Sequence, residues 1–314
     1  MSRVSPGGAW PNATTHVVGV IGWPVRHSLS PVLHNAAFHE LGLDWAYVAF
    51  EVEPGRGAAA VGAVRALQLE GLSVTMPHKA DAATAVDELS PTAQALGVVN
   101  TVVRRGDALI GESTDGEGFI DALRADRGFD PAGRRCVIVG SGGAARAVVL
   151  ALANAGAAAV VVVGRTPERV EAAAALAGKA GRAGTMDEVD GADLVVNATP
   201  VGMAGRLGRD GEKEGAEGVL PLELDPARLG PGQLVADLVY APAITPLIEV
   251  ATARGATAVN GLGMLVHQAG RQFHLWTGNV APLDAMSAAA LSAIAAGDDR
   301  TRGKDAEGGR VGRR

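Results

Sequence analysis

The chain has one cysteine in 314 residues, Cys136, so an internal disulfide is excluded. Its place in the apolar run CVIV reads as a buried strand thiol. No apolar run reaches the roughly 18–20 residues needed to cross a bilayer, and the N-terminus lacks the basic segment, apolar core and cleavage site of a secretory leader. A membrane role is thereby excluded and the cytoplasm is the expected compartment. Positive charge is also scarce: 28 Lys plus Arg stand against 34 Asp plus Glu, with no long basic block, which leaves nucleic acid no electrostatic footprint. Of the 7 histidines, no pair has H-E-x-x-H or comparable spacing, so no metal site is expected. The Gly-x-Ser-x-Gly of serine hydrolases is absent, and G-S-G-G at 140–143 has the wrong spacing. Aromatics amount to only 4%.

What the chain does have is 47% apolar residues and 43 glycines, enough to bury a core without metal or disulfide in one large domain or two ordinary ones. VVGVIG from Val17 reads as a short buried strand. In SLSPVLHNAAFHELG, Ser30 is a candidate N-cap and Pro31 takes the first helical position. Leu33, Ala37 and Leu41 then share a helix face that Gly42 ends. A strand at 47–52, a helix at 58–69 and the strand LSVT at 72–75 follow, the last running into Pro77 at another helix-opening position. A hairpin turns at Gly106 and Asp107. A second block begins near Gly116 with a short helix at 119–125. Its strands are expected at 136–139, 159–163, 194–197, 234–237 and 257–259, with helices at 167–177 and 246–254 and a last helix at 283–296. Alternating strands and helices predict an α/β fold in two domains with mostly parallel sheets. Residues 1–16 and 297–314 are expected to be disordered, and 202–218 to form a solvated loop. No internal repeat of fixed period is evident.

The strongest local signal is RRCVIVGSGGAARAVVLALANAG, a strand, a glycine turn and an Ala-rich helix. Gly140, Gly142 and Ala145 are spaced as in G-x-G-x-x-A: Gly140 permits the bend, Gly142 admits a pyrophosphate to the backbone, and Ala145 lets helix and strand pack closely. At the end of the next strand an NAD site usually carries an acid. Here Gly164 is followed by Arg165, Thr166 and Arg169, and a guanidinium can grip the extra phosphate of NADP. Arg165 also reads as ordinary surface charge, but NADP is favoured over NAD.

Lys79 lies just past T-M-P-H-K, and Asp115 lies in the turn S-T-D-G between the two blocks. A ketone reduced by hydride needs a proton where negative charge develops, and an ammonium beside a carboxylate can supply it. Alone, Lys79 reads as a solvated helix lysine and Asp115 as a helix cap; the combination of sites makes them the candidate catalytic pair. Ser28 and Ser30 flank Leu29, so their hydroxyls point the same way and can bind a carboxylate. Thr75, Asn100, Tyr240 and Gln268 supply the neutral donors and acceptors that a polyhydroxy ring requires.

Across GWPVRHSLSPVLHN, SVTMPHK, VNT at 99–101, STDGEGF, GSGGAARA, GRTPER, NATPVGM, DLVYAPAITPL and GLGMLVHQA, the sequence closely resembles the shikimate dehydrogenase family, including its quinate/shikimate relatives. The resemblance implies a substrate-binding and catalytic domain over 17–116, completed by C-terminal helices within 256–296, and a Rossmann-like NADP-binding domain over 117–255. It implies that Ser28 and Ser30 hold the shikimate carboxylate, and that Thr75, Lys79, Asn100, Asp115 and Gln268 contact ring hydroxyls. Tyr240 falls in the same cleft, and Lys79 with Asp115 is the catalytic pair. The implied cofactor set is Gly140, Ser141, Gly142, Gly143, Ala144, Ala145, Arg165, Thr166 and Arg169, with Thr199, Gly261 and Met264. The implied reaction is reversible NADPH-dependent reduction of 3-dehydroshikimate to shikimate, on the route to chorismate and aromatic amino acids.

Alternatives within the family are a catabolic quinate/shikimate dehydrogenase using NAD or NADP, or an enzyme for an amino- or deoxy-substituted ring. A non-catalytic dinucleotide sensor is a reading of a different class, against which Lys79 and Asp115 speak. The expected partner is a small-molecule substrate, with no nucleic acid and no membrane, on a monomer or homodimer. Three positions depart from the pattern of many members: Ser73, Ser113 and Gly164 stand where those have Asn. The first two shorten the reach near the pocket; the third removes an adenosine-side contact but keeps Arg165, Thr166 and Arg169.

Overall fold

The computed structural model of the chain describes residues 10–203, 206–207, 213–214 and 220–308, the stretch 297–308 by its backbone alone. The first half runs β1 (His16–Gly22), α1 (Ser30–Glu40), β2 (Trp45–Glu51), α2 (Gly57–Ala66), β3 (Gly71–Val74), α3 (Lys79–Ala85), β4 (Glu88–Leu89), α4 (Pro91–Leu96), β5 (Thr101–Arg105) and β6 (Ala108–Glu112). These strands form one sheet in the order β2-β1-β3-β5-β6-β4. Its parallel pairings are β1–β2, β1–β3 and β4–β6. The hairpin β5–β6 and its pairing with β3 are antiparallel, and Gly106, at φ +63°, makes the turn.

Helix α5 (Asp115–Arg127) leads into the second half: β7 (Arg135–Val139), α6 (Gly143–Asn154), β8 (Ala159–Val163), α7 (Pro167–Ala174), β9 (Gly181–Ala183), β10 (Leu194–Asn197), the two-residue strands β11 (Arg206–Leu207) and β12 (Lys213–Glu214), β13 (Leu234–Asp237), α8 (Pro246–Ala253) and β14 (Thr257–Val259). Six of these strands pair in parallel in the order β14-β13-β10-β7-β8-β9. From the other edge this is the doubly wound nucleotide-binding order, whose direction reverses between β7 and β10. Buried on both faces, the inner strands β7, β8, β10 and β13 are largely apolar runs such as AVVVV in β8.

The last helices, α9 (Leu262–Thr277) and α10 (Leu283–Gly308), return to the first sheet. Val266, Ala269, Phe273, Met286 and Ala290 join Leu33, Phe38 and Tyr47 in one buried cluster. α9 also packs closely on α5: a Cβ at Gly118 would lie 2.5 Å from the Gln268 backbone nitrogen. Among the described residues no helix is long and apolar enough to cross a membrane.

Several local expectations change. α1 begins at Ser30 itself; Leu29 already has helical dihedrals and precedes it, and no side chain caps it. Pro77 does not open a helix, because α3 starts at Lys79 after His78. Asp115 is the first residue of α5 rather than part of a linking turn. Residues 1–9 lie outside the described residues, but Thr14 and Thr15 are ordered by hydroxyl bonds of 3.2 and 2.8 Å to the buried Asp44. Helix α10 continues past Ala296 to Gly308, over a stretch without proline, while 309–314 and most of 202–218 lie outside the described residues.

Candidate active site

The C-terminal end of β3 and the start of α3 bring Lys79 to a cleft whose opposite wall is the start of α5. There Lys79 Nζ donates to Asp115 Oδ2 at 2.6 Å, with the two side chains 26% and 15% exposed. Such a pair is screened enough to stay matched yet open enough to meet a ligand. Asn100, immediately before β5, donates from Nδ2 to the other carboxylate oxygen at 2.7 Å. The same amide group is 3.3 Å from Gln268 Oε1 on α9. Its Oδ1 accepts from the Thr114 N–H at 2.9 Å, which locks the amide with its N–H groups toward Asp115.

These groups line a cavity of about 200 Å³. All eight residues expected to touch substrate or proton are in its wall: Ser28, Ser30, Thr75, Lys79, Asn100, Asp115, Tyr240 and Gln268. Ser28 Oγ accepts from the Ser30 N–H at 3.3 Å, so the two serines are held together at the start of α1. Burial pushes the Tyr240 phenol above its ordinary value, leaving it a neutral donor at the cavity wall. The wall also contains residues with no site role in the sequence reading, His27, Leu265 and Gln272, and it contains Ser73.

The nucleotide turn lies at the end of β7, beside the point where strand order reverses. Gly140 has φ +119°, a conformation that L side chains rarely adopt, and a Cβ there would stand 3.0 Å from Ala198 O. A Cβ at Gly142 or Gly143 would meet nothing within 4 Å, and no side chain caps α6. The start of α6 therefore presents free N–H groups to open space, as a pyrophosphate requires. Ser141 borders Gly164, Ala144 is exposed, and Ala145 is fully buried against the strand. Arg165, Thr166 and Arg169 are exposed beyond β8, and among the described residues neither arginine has an ion-pair or hydrogen-bonding side-chain partner. A dinucleotide carrying an additional phosphate fits this arrangement.

Thr199, just past β10, stands against Gly140, its N–H and hydroxyl both donating to Asn197 Oδ1 at 3.0 and 2.7 Å. Behind it, Asn197 Nδ2 and Thr245 Oγ1 donate to the two oxygens of Asp237 at 2.9 and 2.7 Å. Burial nevertheless holds the Asp237 carboxyl above its usual range. Gly261 and Met264 stand at the start of α9 in the wall of a separate small cavity with Phe119 and Leu238, and neither lines the cavity of Lys79 and Asp115. A Cβ at Gly261 would fall 2.1 Å from Leu238 O. Cys136 is buried in β7 and takes no part in the site. Among the described residues no cluster of His, Cys, Asp or Glu is arranged to hold a metal ion.

Comparison with known proteins accounts for nearly the whole chain. Residues 20–102 match the shikimate dehydrogenase substrate binding domain, residues 124–201 the family described as shikimate / quinate 5-dehydrogenase, and residues 261–291 the shikimate 5'-dehydrogenase C-terminal domain. A shikimate dehydrogenase (NADP(+)) of Geobacter metallireducens is 44% identical over 291 residues, covering 89% of this chain and 97% of that protein. A shikimate 5-dehydrogenase of Listeria monocytogenes, solved with shikimate and NAD, superposes with a TM-score of 0.80 at 33% identity, covering 89% of this chain and 97% of its own. The enzyme of Thermus thermophilus, solved with NADP(H) and shikimate, gives a TM-score of 0.79 at 36% identity over 89% of this chain and 100% of its own. Identity at this level along both halves, on a fold shared from end to end, makes the chain a member of the shikimate dehydrogenase family of oxidoreductases.

Proposed function

We propose that the chain is an NADP-dependent shikimate dehydrogenase that reversibly reduces 3-dehydroshikimate to shikimate, in the biosynthetic route to chorismate and the aromatic amino acids. In this reading the first sheet with α9 and α10 is the substrate-binding half, and the parallel sheet is the dinucleotide-binding half. The reading rests on one observation above all: Lys79 and Asp115 are 2.6 Å apart in the wall of one polar cavity shared with Ser28, Ser30, Thr75, Asn100, Tyr240 and Gln268.

The Ser28 and Ser30 hydroxyls bind the ring carboxylate without adding charge. Thr75, Asn100 and Gln268 hydrogen-bond the ring hydroxyls and fix which carbon faces the nicotinamide. When bound, the reduced dinucleotide supplies the hydride. Lys79 places its ammonium at the carbonyl oxygen, where negative charge grows, and gives up a proton there. Asp115, held by Asn100, keeps that ammonium aimed and is a hydrogen-bonding partner of the ring. In the reverse direction the neutral amine of Lys79 accepts the proton of the alcohol. Arg165, with Thr166 and Arg169, grips the phosphate that distinguishes NADP from NAD.

The test is a steady-state comparison of shikimate and quinate as substrates with NADP and with NAD. Shikimate with NADP is expected to give the highest kcat/KM, by tenfold or more, roughly 1.4 kcal/mol of discrimination. Equal or faster turnover of quinate, or of either substrate with NAD, would overturn the assignment.

A further inference from the structure

Behind the ring cavity a series of buried polar side chains runs from β2 to the catalytic carboxylate without a break. Tyr47 Oη donates to Ser73 Oγ at 2.7 Å, and Ser73 Oγ donates to Gln272 Oε1 at 2.9 Å. Gln272 Nε2 donates to Thr101 Oγ1 at 2.9 Å, and Thr101 Oγ1 donates to Asn100 Oδ1 at 2.8 Å. Asn100 Nδ2 then donates to Asp115 Oδ1. Tyr47, Ser73, Gln272, Thr101 and Asn100 are each at most 5% exposed, so no bulk water competes for these bonds.

The direction of the series follows from its far end. A carboxylate only accepts, and Asn100 Oδ1, turned away from it, has no proton to give: it accepts from the Thr114 N–H on one side and from the Thr101 hydroxyl on the other, so Thr101 is the donor in their bond. Thr101 must then accept from Gln272 Nε2, which leaves Gln272 Oε1 to accept from Ser73. Each bond polarises the next toward Asp115. We infer that Gln272, together with Thr101, is a positioning residue for the catalytic pair: it directs the Thr101 proton onto Asn100 and so holds the Asn100 amide against Asp115. The inference rests on the proposed dehydrogenase reading and deepens it. A second consequence falls on Ser73. With its proton committed to Gln272 and one lone pair taken by Tyr47, Ser73 offers the cavity an acceptor only. It suits a ring hydroxyl and not a ring carbonyl.

The test uses the full-length protein with shikimate and NADP, and three variants, Gln272→Leu, Thr101→Val and Gln272→Glu. Gln272→Leu and Thr101→Val are each expected to lower kcat on the order of tenfold to a hundredfold, the scale of a misplaced catalytic group, with KM for NADP unchanged. The primary isotope effect from shikimate deuterated at the reacting carbon should rise as the chemical step becomes slower. Because both act through one series, the double variant should be little worse than either single one.

Gln272→Glu is near-isosteric. Only its protonated form can accept from Ser73 and donate to Thr101, so its activity relative to the parent should climb as pH falls. The titratable groups around this position are His34 and Tyr47 behind it and His27, Lys79, Asp115 and Tyr240 around the cavity. Burial lowers His34 to about 3 and raises both tyrosines, so none of these three changes charge across the assay range. The other groups are common to parent and variant, so whatever they contribute is divided out in the ratio.

A parent protein that turns over no shikimate, or one as active after Lys79→Ala, would overturn the dehydrogenase reading and this inference together. An active parent whose kcat and isotope effect survive Gln272→Leu, whose two losses simply multiply, or whose Gln272→Glu ratio is flat with pH, would overturn the inference alone.

Discussion

At the scale of single residues, the proposed function assigns proton delivery and charge recognition to different side chains, which should then fail separately. Lys79→Ala removes the proposed proton donor and changes no residue of the nucleotide turn. kcat is expected to fall by about 10²–10⁴-fold, with the Kd for NADPH, read by fluorescence titration, near the parent value. Turnover close to the parent's would remove Lys79 from the chemistry. Arg165→Ala deletes a guanidinium that has no protein partner among the described residues. A charge-assisted bond is worth roughly 1.5–3 kcal/mol, so NADP should bind about tenfold or more weakly while NAD is unaffected; equal losses for both would place Arg165 away from the extra phosphate. Cys136 is a third case. Burial, aided by the nearby charge of Asp193, pushes its thiol up to about 12. The folded protein should therefore resist iodoacetamide until unfolded, and rapid native labelling would contradict its strand position.

Among the elements, the contact of α5 with α9 bears most directly on the site, because Asp115 begins one helix and Gln268 sits on the other. Gly118→Ala would put a Cβ 2.5 Å from the Gln268 backbone nitrogen, which cannot swing aside as a flexible side chain would. Overpacking of this kind costs about 1–3 kcal/mol; a lower Tm and a higher KM for shikimate are expected together. Gly142→Ala is the contrasting substitution, since its Cβ meets open space in the protein. Its Tm should hold while dinucleotide binding weakens, and a reversed pattern would mean that the turn is structural only.

The same elements show what was legible from residues alone. Strands β8, β10 and β13 stand where their apolar runs place them, because a buried parallel strand writes its whole length largely in β-branched and small apolar residues. β4 and β9 were not legible, being strands of two or three residues fixed by partners such as Ile110 and Val161 rather than by any local pattern. Ser90 and Pro91 do form a capped helix start, whereas the similar Ser30 and Pro31 do not, because Leu29 has already entered the helix. The eight cavity residues were readable from their chemistry and family motifs. Gln272 was not: its bond to Ser73 spans 199 positions, and no local pattern announces such a pairing.

At the scale of the whole molecule, α5 and α9 act as a shared spine, reinforced where Arg271 on α9 pairs with Glu117 and Asp121 on α5. A ligand confined to the parallel sheet should stabilise that half first. With NADP at about 100 times its Kd, the linkage gain is about 2.7 kcal/mol. Hydrogen exchange should show it as slower exchange at the α6 turn and around 163–166, with little change in β1 and β2; uniform protection would mean that the two sheets unfold as one unit. The return of α9 and α10 to the first sheet also bears on how the protein is made. At roughly 5–20 residues per second, β1 leaves the ribosome on the order of ten to fifty seconds before the segment that covers its apolar face. Until then the early half is an exposed client for chaperones, and the nascent enzyme stays silent until translation reaches its last helices.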